Sequence, residues 1–169
     1  MCDLIITDTA VLFPDGTIRD GQTVEVSGGV ITRVSKTDEK DRAKEAAVRL
    51  PGKGRLLMPG LADCHMHTGQ QLLKGRVLDA LPMIWTRIML PFESTLTEEK
   101  MELSASLAAL EMIKSGTTAF VDAGSYYMET AADVYLKSGL RGLISASTMD
   151  EKGLPDSIAQ NADEAVAQT

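Results

Sequence analysis

Short runs of alternating apolar and polar residues occupy the first third of the chain. The runs LIITDTAVLF, TVEVSG and VITRV are separated by Asp-Gly or Gly-Gly dipeptides at residues 15–16, 20–21 and 28–29. Such dipeptides supply the positive backbone angles of hairpin turns, so the pattern predicts a small antiparallel β unit. The charged stretch that follows, KTDEKDRAKEAA, is typical of a solvated loop or a short exposed helix.

After Pro59, strand-like runs alternate with helix-like runs. LADCHMH is predicted as a strand, and the segment from Thr97 to Gly116 as a helix that begins at its Thr cap and ends at glycine. The runs that follow are a strand TTAFVDAG, a helix METAADVYLKSG, a strand LRGLISAS, and a last segment LPDSIAQNADEAVAQT that starts another helix. This order predicts right-handed crossovers and a parallel sheet. We therefore expect two domains, at residues 1–58 and 59–169.

The predicted helix after Thr97 carries a broad apolar face. Its members are Met101, Leu103, Leu107, Leu110, Met112 and Ile113. We expect this face to pack against the sheet.

The composition of the chain favours a globular protein and argues against a membrane or nucleic-acid-binding protein. Hydrophobic residues make up 44% and charged residues 24%, which is typical of a globular chain. The chain contains no run of about 18 apolar residues, and Asp3 and Asp8 interrupt its start, so we expect neither a membrane span nor a secretory signal. A net charge of -7 argues against nucleic-acid binding. Cys2 and Cys64, the only cysteines, indicate a reducing cytoplasm rather than a disulfide framework.

The only two histidines, His65 and His67, stand two positions apart in the first strand after Pro59. Alternate side chains of a strand share a face, so Asp63, His65 and His67 are expected to project together, away from Cys64 and Met66. Two imidazoles on one face can bind one divalent metal ion, most readily zinc. The alternative is a pair of buried histidines that only satisfy hydrogen bonds.

The segment MPGLADCHMH resembles the Pro-Gly-x-x-Asp-x-His-x-His signature of the amidohydrolase superfamily. The rest of the chain resembles its aminohydrolase branch, which includes methylthioadenosine/adenosylhomocysteine deaminases, guanine deaminases and triazine chlorohydrolases. The residues that carry this resemblance are QQLLKG, Trp85, LPFE, LAALEMIKSGTTAFVDAG and SGLRG. Together they cover nearly the whole chain.

The resemblance implies an α/β fold: a metal-dependent (β/α)8 TIM barrel preceded by a small β-sandwich that both ends of the polypeptide form. It implies that His65 and His67 bind one divalent ion, zinc or iron. Two further histidines, an acid/base glutamate and a metal-binding aspartate would lie on later strands. A barrel of this type needs about 250 residues, so we expect an N-terminal fragment that contains no catalytic residue and lacks the C-terminal part of the same enzyme. Relatives are commonly homodimers.

The resemblance also gives roles to residues beyond the histidines. Gln70 lies where related deaminases can place a glutamine against a purine-like base, and Trp85 would form an aromatic wall for the substrate. Glu93 matches a position that contacts a ribose hydroxyl in nucleoside-deaminating relatives. Asp63 would orient an imidazole or cap the backbone. Each of the first three has a structural alternative. Gln70 would be a solvated loop residue, Trp85 a helix-packing tryptophan, and Glu93 a helix-cap or surface carboxylate.

Further polar residues stand near the ends of the second and third strands after Pro59, where a substrate would approach a barrel. They are Asp122, Ser125, Ser147 and Asp150. The alternative is that they only terminate the strands.

These features favour a hydrolase that uses metal-activated water to release an amino group from a purine, nucleoside or related heterocycle. Its substrate is a small molecule, and the chain alone is expected to be inactive. One alternative is a cyclic amidase of the dihydroorotase or hydantoinase type, since those also contain the His-x-His motif. The other is a truncated, non-enzymatic binding partner.

Overall fold

The computed structural model describes residues 2–77 and 81–168. The chain divides into two compact units after Pro59, one position later than the boundary expected from the sequence. Within the described residues, no helix has both the length and the apolar character needed to cross a lipid bilayer.

The N-terminal unit is built around one mixed sheet. In chain order its elements are β1 (Leu4–Leu12), β2 (Ile18–Ser27), β3 (Val30–Lys36), α1 (Glu39–Ala43), β4 (Val48–Pro51) and β5 (Leu56–Leu57). The strand order is β3-β2-β1-β4, and β5 also pairs with β1. β1, β2 and β3 are antiparallel neighbours, as predicted, whereas β4 and β5 run parallel to β1. Ile5 and Val24 are buried in this sheet.

The dipeptide at residues 20–21 lies inside β2, which corrects the prediction of a hairpin turn there. Gly21 has a φ of 63°, and the β1–β2 pairing is irregular on both sides of the Thr9–Gln22 pair. Glycine adopts this backbone angle without steric cost, so it permits a bulge that bends the strand. The dipeptides at residues 15–16 and 28–29 lie in the connections between β1 and β2 and between β2 and β3, as predicted.

Two buried carboxylates of the N-terminal unit are paired with cations. Glu25 accepts hydrogen bonds from Lys44 Nζ at 2.7 Å and from Arg33 Nη2 at 2.6 Å, and Arg33 also pairs with Asp41. The bonds from Lys44 and then Arg33 hold the pKa of Glu25 below its usual value. Burial raises the pKa of Asp41, but hydrogen bonds from Arg33 and the backbone outweigh it and lower that pKa. Both carboxylates therefore stay ionised at neutral pH.

The second unit alternates strands and helices around a parallel sheet. In chain order it consists of β6 (Leu61–Met66), a 3₁₀ turn (Thr68–Leu73), a π-helical turn (Trp85–Met89), α2 (Leu90–Glu93), α3 (Glu98–Ser115), β7 (Thr117–Ser125), α4 (Met128–Ser138), β8 (Arg141–Ala146) and α5 (Ala162–Gln168). The sheet has the order β6-β7-β8, and both pairings are parallel, as predicted. The C-terminal ends of the three strands therefore lie along one edge of the sheet.

The long helix α3 has the predicted ends but a different buried face. The hydroxyl of Thr97 accepts a hydrogen bond from the backbone N–H of Lys100, and Gly116 ends the helix with a φ of 81°. The buried residues are Met101, Ser104, Ala105, Ala108, Ala109 and Met112. They follow the i, i+3, i+4, i+7 spacing of one helix face.

Three of the six apolar residues predicted for that face are exposed instead, namely Leu103, Leu110 and Ile113. Small residues on the buried face let a helix backbone approach its neighbours closely, which large residues would prevent. The leucines therefore lie on the side away from the core that contains Phe120 and Tyr135.

The last helix begins later than predicted. Residues 154–161 are irregular apart from a turn at residues 156–158, and α5 starts after Asn161. The backbone N–H of Glu164 donates to Asn161 Oδ1, and that of Asn161 donates to Glu164 Oε2, both at 2.9 Å. This reciprocal pair is a capping box, which fixes the first turn of the helix at this point.

Candidate active site

His65 and His67 lie at the C-terminal end of β6 with their imidazole rings close together. The ring centroids are 4.9 Å apart and the ring planes are inclined by 79°. The side chain of His65 is exposed and that of His67 is half-buried. Neutral imidazole nitrogens are ligands that zinc and similar divalent ions accept. The pair can therefore offer two nitrogens to one metal ion.

Two imidazoles do not complete the coordination of such an ion. Within residues 2–77 and 81–168, no group of three His, Cys, Asp or Glu side chains is arranged to hold a metal. Protein zinc sites use three or four protein ligands. The donor chemistry of the pair fits a divalent metal whose remaining ligands come from outside these residues.

A bulge in β6 determines how the histidines are presented. Asp63 pairs with Phe120 of β7, but the next aligned pair is Met66 with Asp122, so β6 carries one residue more than β7 over this interval. Bulges of this kind redirect side chains next to active sites. Met66 is buried in the core, whereas Cys64 is exposed rather than covered by apolar residues.

The side chain of Asp63 binds the backbone of the histidine segment. Its carboxylate accepts a hydrogen bond from the backbone N–H of His65 at 3.1 Å. This is the backbone-capping role that the sequence left open for Asp63.

A buried polar cluster, which we name the Thr68 cluster, lies directly after His67. It consists of Thr68, Ser104, Asp122, Gly124 and Tyr135. The Thr68 hydroxyl donates to Asp122 Oδ2, which also accepts the Thr68 backbone N–H at 3.0 Å. Asp122 Oδ1 accepts from the Gly124 N–H at 2.9 Å. The Tyr135 hydroxyl lies 2.6 Å from the Thr68 hydroxyl, and the Ser104 hydroxyl donates to the Thr68 carbonyl oxygen at 2.6 Å.

The cluster has a defined pattern of donors and acceptors. Burial, opposed by the hydrogen bond with Thr68 and reinforced by the negative charge of Asp122, raises the pKa of Tyr135 to about 12. The phenol is therefore protonated at neutral pH and donates a hydrogen bond to the Thr68 hydroxyl oxygen, while the Thr68 hydroxyl donates a hydrogen bond to Asp122. Each polar group in the cluster is thus satisfied, as burial requires.

A second network, which we name the Glu93 network, consists of Gln70, Glu93 and Ser125. Glu93 in α2 is only 4% exposed. Its Oε1 accepts from Gln70 Nε2 at 2.6 Å, and its Oε2 accepts from the Ser125 hydroxyl at 3.1 Å. A Cβ added to Gly69 would overlap the Ser125 hydroxyl, so glycine is required there. The network joins the turn after β6, α2 and the end of β7.

Tyr126 follows Ser125 and carries a buried hydroxyl. Within the described part of the chain this oxygen has no hydrogen-bond partner. Burial, and then the negative charge of Glu93, raise the pKa of Tyr126 to about 12. A protonated phenol without a partner is available to donate to a ligand.

Trp85 lies in the π-helical turn and is 44% exposed. It lines an open groove of about 670 Å³ together with Thr86, Leu90, Pro91 and residues 148–155. The groove includes Asp150, one of the strand-end residues noted in the sequence. π-helical turns occur frequently at functional sites.

A protein-family model for the amidohydrolase family matches residues 56–169. The chain belongs to the amidohydrolase family. The match covers β5 and every element of the second unit, and it confirms the resemblance read from the motif around the two histidines.

Curated members of the amidohydrolase family resemble the chain over most of its length. A 5-methylthioadenosine/S-adenosylhomocysteine deaminase of Thermococcus onnurineus is 35% identical over 161 residues, which are 93% of this chain and 38% of that enzyme. A 5'-deoxyadenosine deaminase of Methanosarcina acetivorans is also 35% identical, over 92% of this chain and 37% of that enzyme. The chain thus spans less than two-fifths of the length of these relatives.

A solved structure supports the same fold. The crystal structure of an adenosine deaminase from Xanthomonas campestris with bound zinc matches 98% of this chain and 38% of that protein, with a TM-score of 0.84 and 30% identity. This likeness confirms the predicted fold class, in which the chain forms part of an amidohydrolase barrel. The zinc in that relative supports a divalent metal as the cofactor of the family.

Sequence reasoning about this amidohydrolase chain named some of these residues and missed others. The structure brings His65 and His67 together, joins Gln70 to Glu93, and leaves Trp85 in a separate groove. Thr68 and Tyr126 were not anticipated. A hydroxyl at a strand end gives little local signal, because its partner lies far away along the chain.

Proposed function

We propose that the chain forms the N-terminal part of a metal-dependent deaminase that releases the amino group of an adenosine-like nucleoside. The observation that carries this proposal is the pair of imidazoles at the C-terminal end of β6, 4.9 Å apart. Its support is the 35% identity to deaminases of 5-methylthioadenosine, S-adenosylhomocysteine and 5'-deoxyadenosine. All three of those compounds contain adenine attached to a ribose.

In this proposal His65 and His67 hold one divalent ion, zinc in the first instance and iron as the alternative. Asp63 orients His65 through the hydrogen bond to its backbone N–H. A metal bound in this way supplies an activated water whose pKa falls from about 15.7 towards about 7. The remaining metal ligands and the acid/base carboxylate belong to the C-terminal part of the same polypeptide, so the 169-residue chain alone is inactive.

Glu93, Gln70 and Trp85 are the substrate-binding residues that this chain contributes, with Trp85 in the groove that Leu90 and Pro91 of α2 also line. Each Glu93 carboxylate oxygen has one hydrogen-bond donor in the Glu93 network and a further lone pair that can accept a substrate hydroxyl. Gln70 has a second amide proton and a carbonyl oxygen that can meet the edge of a purine. Trp85 offers a half-exposed ring on which a heterocycle can pack.

We propose that the enzyme acts in the cytoplasm on a small molecule, without nucleic acid or membrane as a partner, and as a homodimer. Support for a reducing compartment comes from Cys2 and Cys64, which are both free. Support against nucleic acid comes from the net charge of -7, because phosphate binding needs clustered cations.

Ammonia release by the full-length polypeptide tests the proposal. We expect it from adenosine, 5'-deoxyadenosine, 5'-methylthioadenosine or S-adenosylhomocysteine, with loss of activity after metal removal and recovery with zinc. Ring opening of dihydroorotate or hydantoin in place of ammonia release would instead indicate a cyclic amidase. Binding without turnover of any of these compounds by a metal-loaded protein would favour the non-enzymatic alternative.

A further inference from the structure

The Thr68 cluster determines the backbone at the residue that follows His67. All three polar groups of Thr68 are engaged: its N–H and hydroxyl with Asp122, and its carbonyl oxygen with Ser104. Thr68 is 0% exposed and Asp122 is 2% exposed. Water cannot reach these groups to replace the hydrogen bonds, so the bonds set the conformation of the backbone at Thr68.

The carbonyl group of His67 is held as well. It accepts the backbone N–H of Gln70 at 3.2 Å and the side-chain amide of Gln71 at 3.3 Å. The peptide unit between His67 and Thr68 is thus bonded at its oxygen by the 3₁₀ turn and at its nitrogen by Asp122. A peptide plane held at both its oxygen and its nitrogen restricts the backbone angles of His67, on which the direction of its Cα–Cβ bond depends.

We propose that Asp122 and Thr68 are positioning residues that aim the His67 imidazole at the metal ion; this inference rests on the proposed metal site. Asp122 lies on β7, next to Met66 in the parallel pairing. The Asp122 carboxylate thus ties the position of His67, at the end of β6, to the position of β7. The proposed ligands are the two imidazoles, so Asp122 and Thr68 would act on the metal only through His67.

A purely structural role for the cluster makes a different prediction. The Tyr135 hydroxyl contacts the Thr68 hydroxyl but no backbone atom of residues 67–68. Removing it disturbs the same buried site without releasing the peptide unit. Tyr135→Phe is therefore the matched control for any change at Thr68.

The test uses Co²⁺ titration of the metal-free full-length protein, followed by visible absorption. Thr68→Val keeps the shape of the side chain and removes the hydroxyl, so we expect about tenfold weaker Co²⁺ binding and an altered ligand-field spectrum. Asp122→Asn, which cannot accept all three donors, should show the same change. Thr68→Ser retains the hydroxyl and should restore both the affinity and the spectrum.

The outcomes separate this inference from the proposed function. Wild-type affinity and spectrum in Thr68→Val would overturn the inference. Equal weakening of Co²⁺ binding in Thr68→Val and Tyr135→Phe would also overturn it. Circular dichroism establishes that each variant is folded. Failure of the unaltered protein to bind Co²⁺ would reject the metal site itself, and the inference with it. Weak binding in Thr68→Val, wild-type binding in Thr68→Ser and wild-type binding in Tyr135→Phe would establish it.

Discussion

The two units of the chain hold buried carboxylates in opposite ways. In the N-terminal unit, Glu25 and Asp41 share Arg33, and Lys44 adds a second cation to Glu25. In the second unit, the hydrogen bonds that the structure gives to Asp122 and Glu93 come from hydroxyl, amide and backbone N–H groups. Cations compensate the charges of Glu25 and Asp41, whereas neutral hydrogen-bond donors hold Asp122 and Glu93.

Under the proposed function, the cation-paired carboxylates are structural and the carboxylates held by neutral donors serve the site. Burial of a charge costs several kcal/mol unless it is paired or well hydrogen-bonded, and neutral donors offset less of that cost than cations do. Asp122 and Glu93 both lie at the edge of the sheet where the strand ends meet. A carboxylate that the described residues hold by neutral donors at this edge fits a role in positioning a ligand or binding a substrate.

The largest effect on stability is expected from deleting the Asp122 carboxylate, and the matched deletion in the N-terminal unit is that of Asp41. Asp122→Ala leaves the buried N–H groups of Thr68 and Gly124 without acceptors and should lower the free energy of unfolding by about 3–5 kcal/mol. Asp41→Ala should cost about 1–2 kcal/mol, because its partner Arg33 is 37% exposed and can turn to water. Urea titrations of both variants measure the difference. Equal losses would contradict the distinction between the two units.

A second comparison replaces one carboxylate of each kind by its amide. In Glu93→Gln the new amide can still accept from Gln70 and can donate to Ser125, so the hydrogen bonds survive and the uncompensated charge disappears. We expect stability unchanged or raised by about 1 kcal/mol, with kcat/KM for an adenosine-type substrate lowered about tenfold. Glu25→Gln removes the anionic partner of Lys44 and leaves Arg33 paired with Asp41 alone. It should lower stability by about 1 kcal/mol without affecting kcat/KM.

The control for this pair is Ser94→Ala, at the residue next to Glu93. The Ser94 hydroxyl donates to the Pro91 carbonyl oxygen at 2.8 Å and, within the described residues, to no part of the Glu93 network. It should change neither stability nor kcat/KM. A destabilised Glu93→Gln with full activity would reverse the assignment of Glu93 from substrate binding to structure.

The cation-paired carboxylates of the N-terminal unit should make the stability of the chain depend on pH. Glu25 and Asp41 have lowered pKa values, so the unfolded chain binds more protons than the folded one in the acid range. Their contribution to stability is therefore complete above their unfolded pKa values, about 4. It is lost as the pH falls through their lower folded pKa values. The double variant Glu25→Gln/Asp41→Asn should lack this part of the pH dependence in urea titrations between pH 7 and pH 3. An unchanged pH profile in that variant would contradict the cation pairing.

The smallest effect is expected at an exposed pair. Asp8 binds the Arg42 guanidinium at the surface, with an Oδ1 to Nη2 distance of 2.8 Å. Asp8 has a φ of 59°, which asparagine tolerates as well as aspartate does. Asp8→Asn should therefore leave the urea midpoint unchanged, because exposed ion pairs contribute little. A clear loss of stability would show that ion pairing in the N-terminal unit does not depend on burial.

Sequence reasoning reached the elements of this fold because their signals are local. The alternation around His65 and His67, the Thr97 cap and the glycines that end α3 and α4 each act within a few residues. The buried face of α3 was missed because Ala105, Ala108 and Ala109 carry little hydrophobic signal, although they pack most closely. The Thr68 cluster was missed because its central bond joins residues 54 positions apart. Such pairings exist only once the strands have aligned.

The metal content of the purified full-length protein tests the central claim, that two imidazoles at the end of β6 bind the metal of an amidohydrolase. We predict about one divalent ion per chain in the unaltered protein, measured by elemental analysis after dialysis. The double variant His65→Ala/His67→Ala should retain almost none while remaining folded by circular dichroism. Retention of one tightly bound ion per chain in that variant would contradict the account.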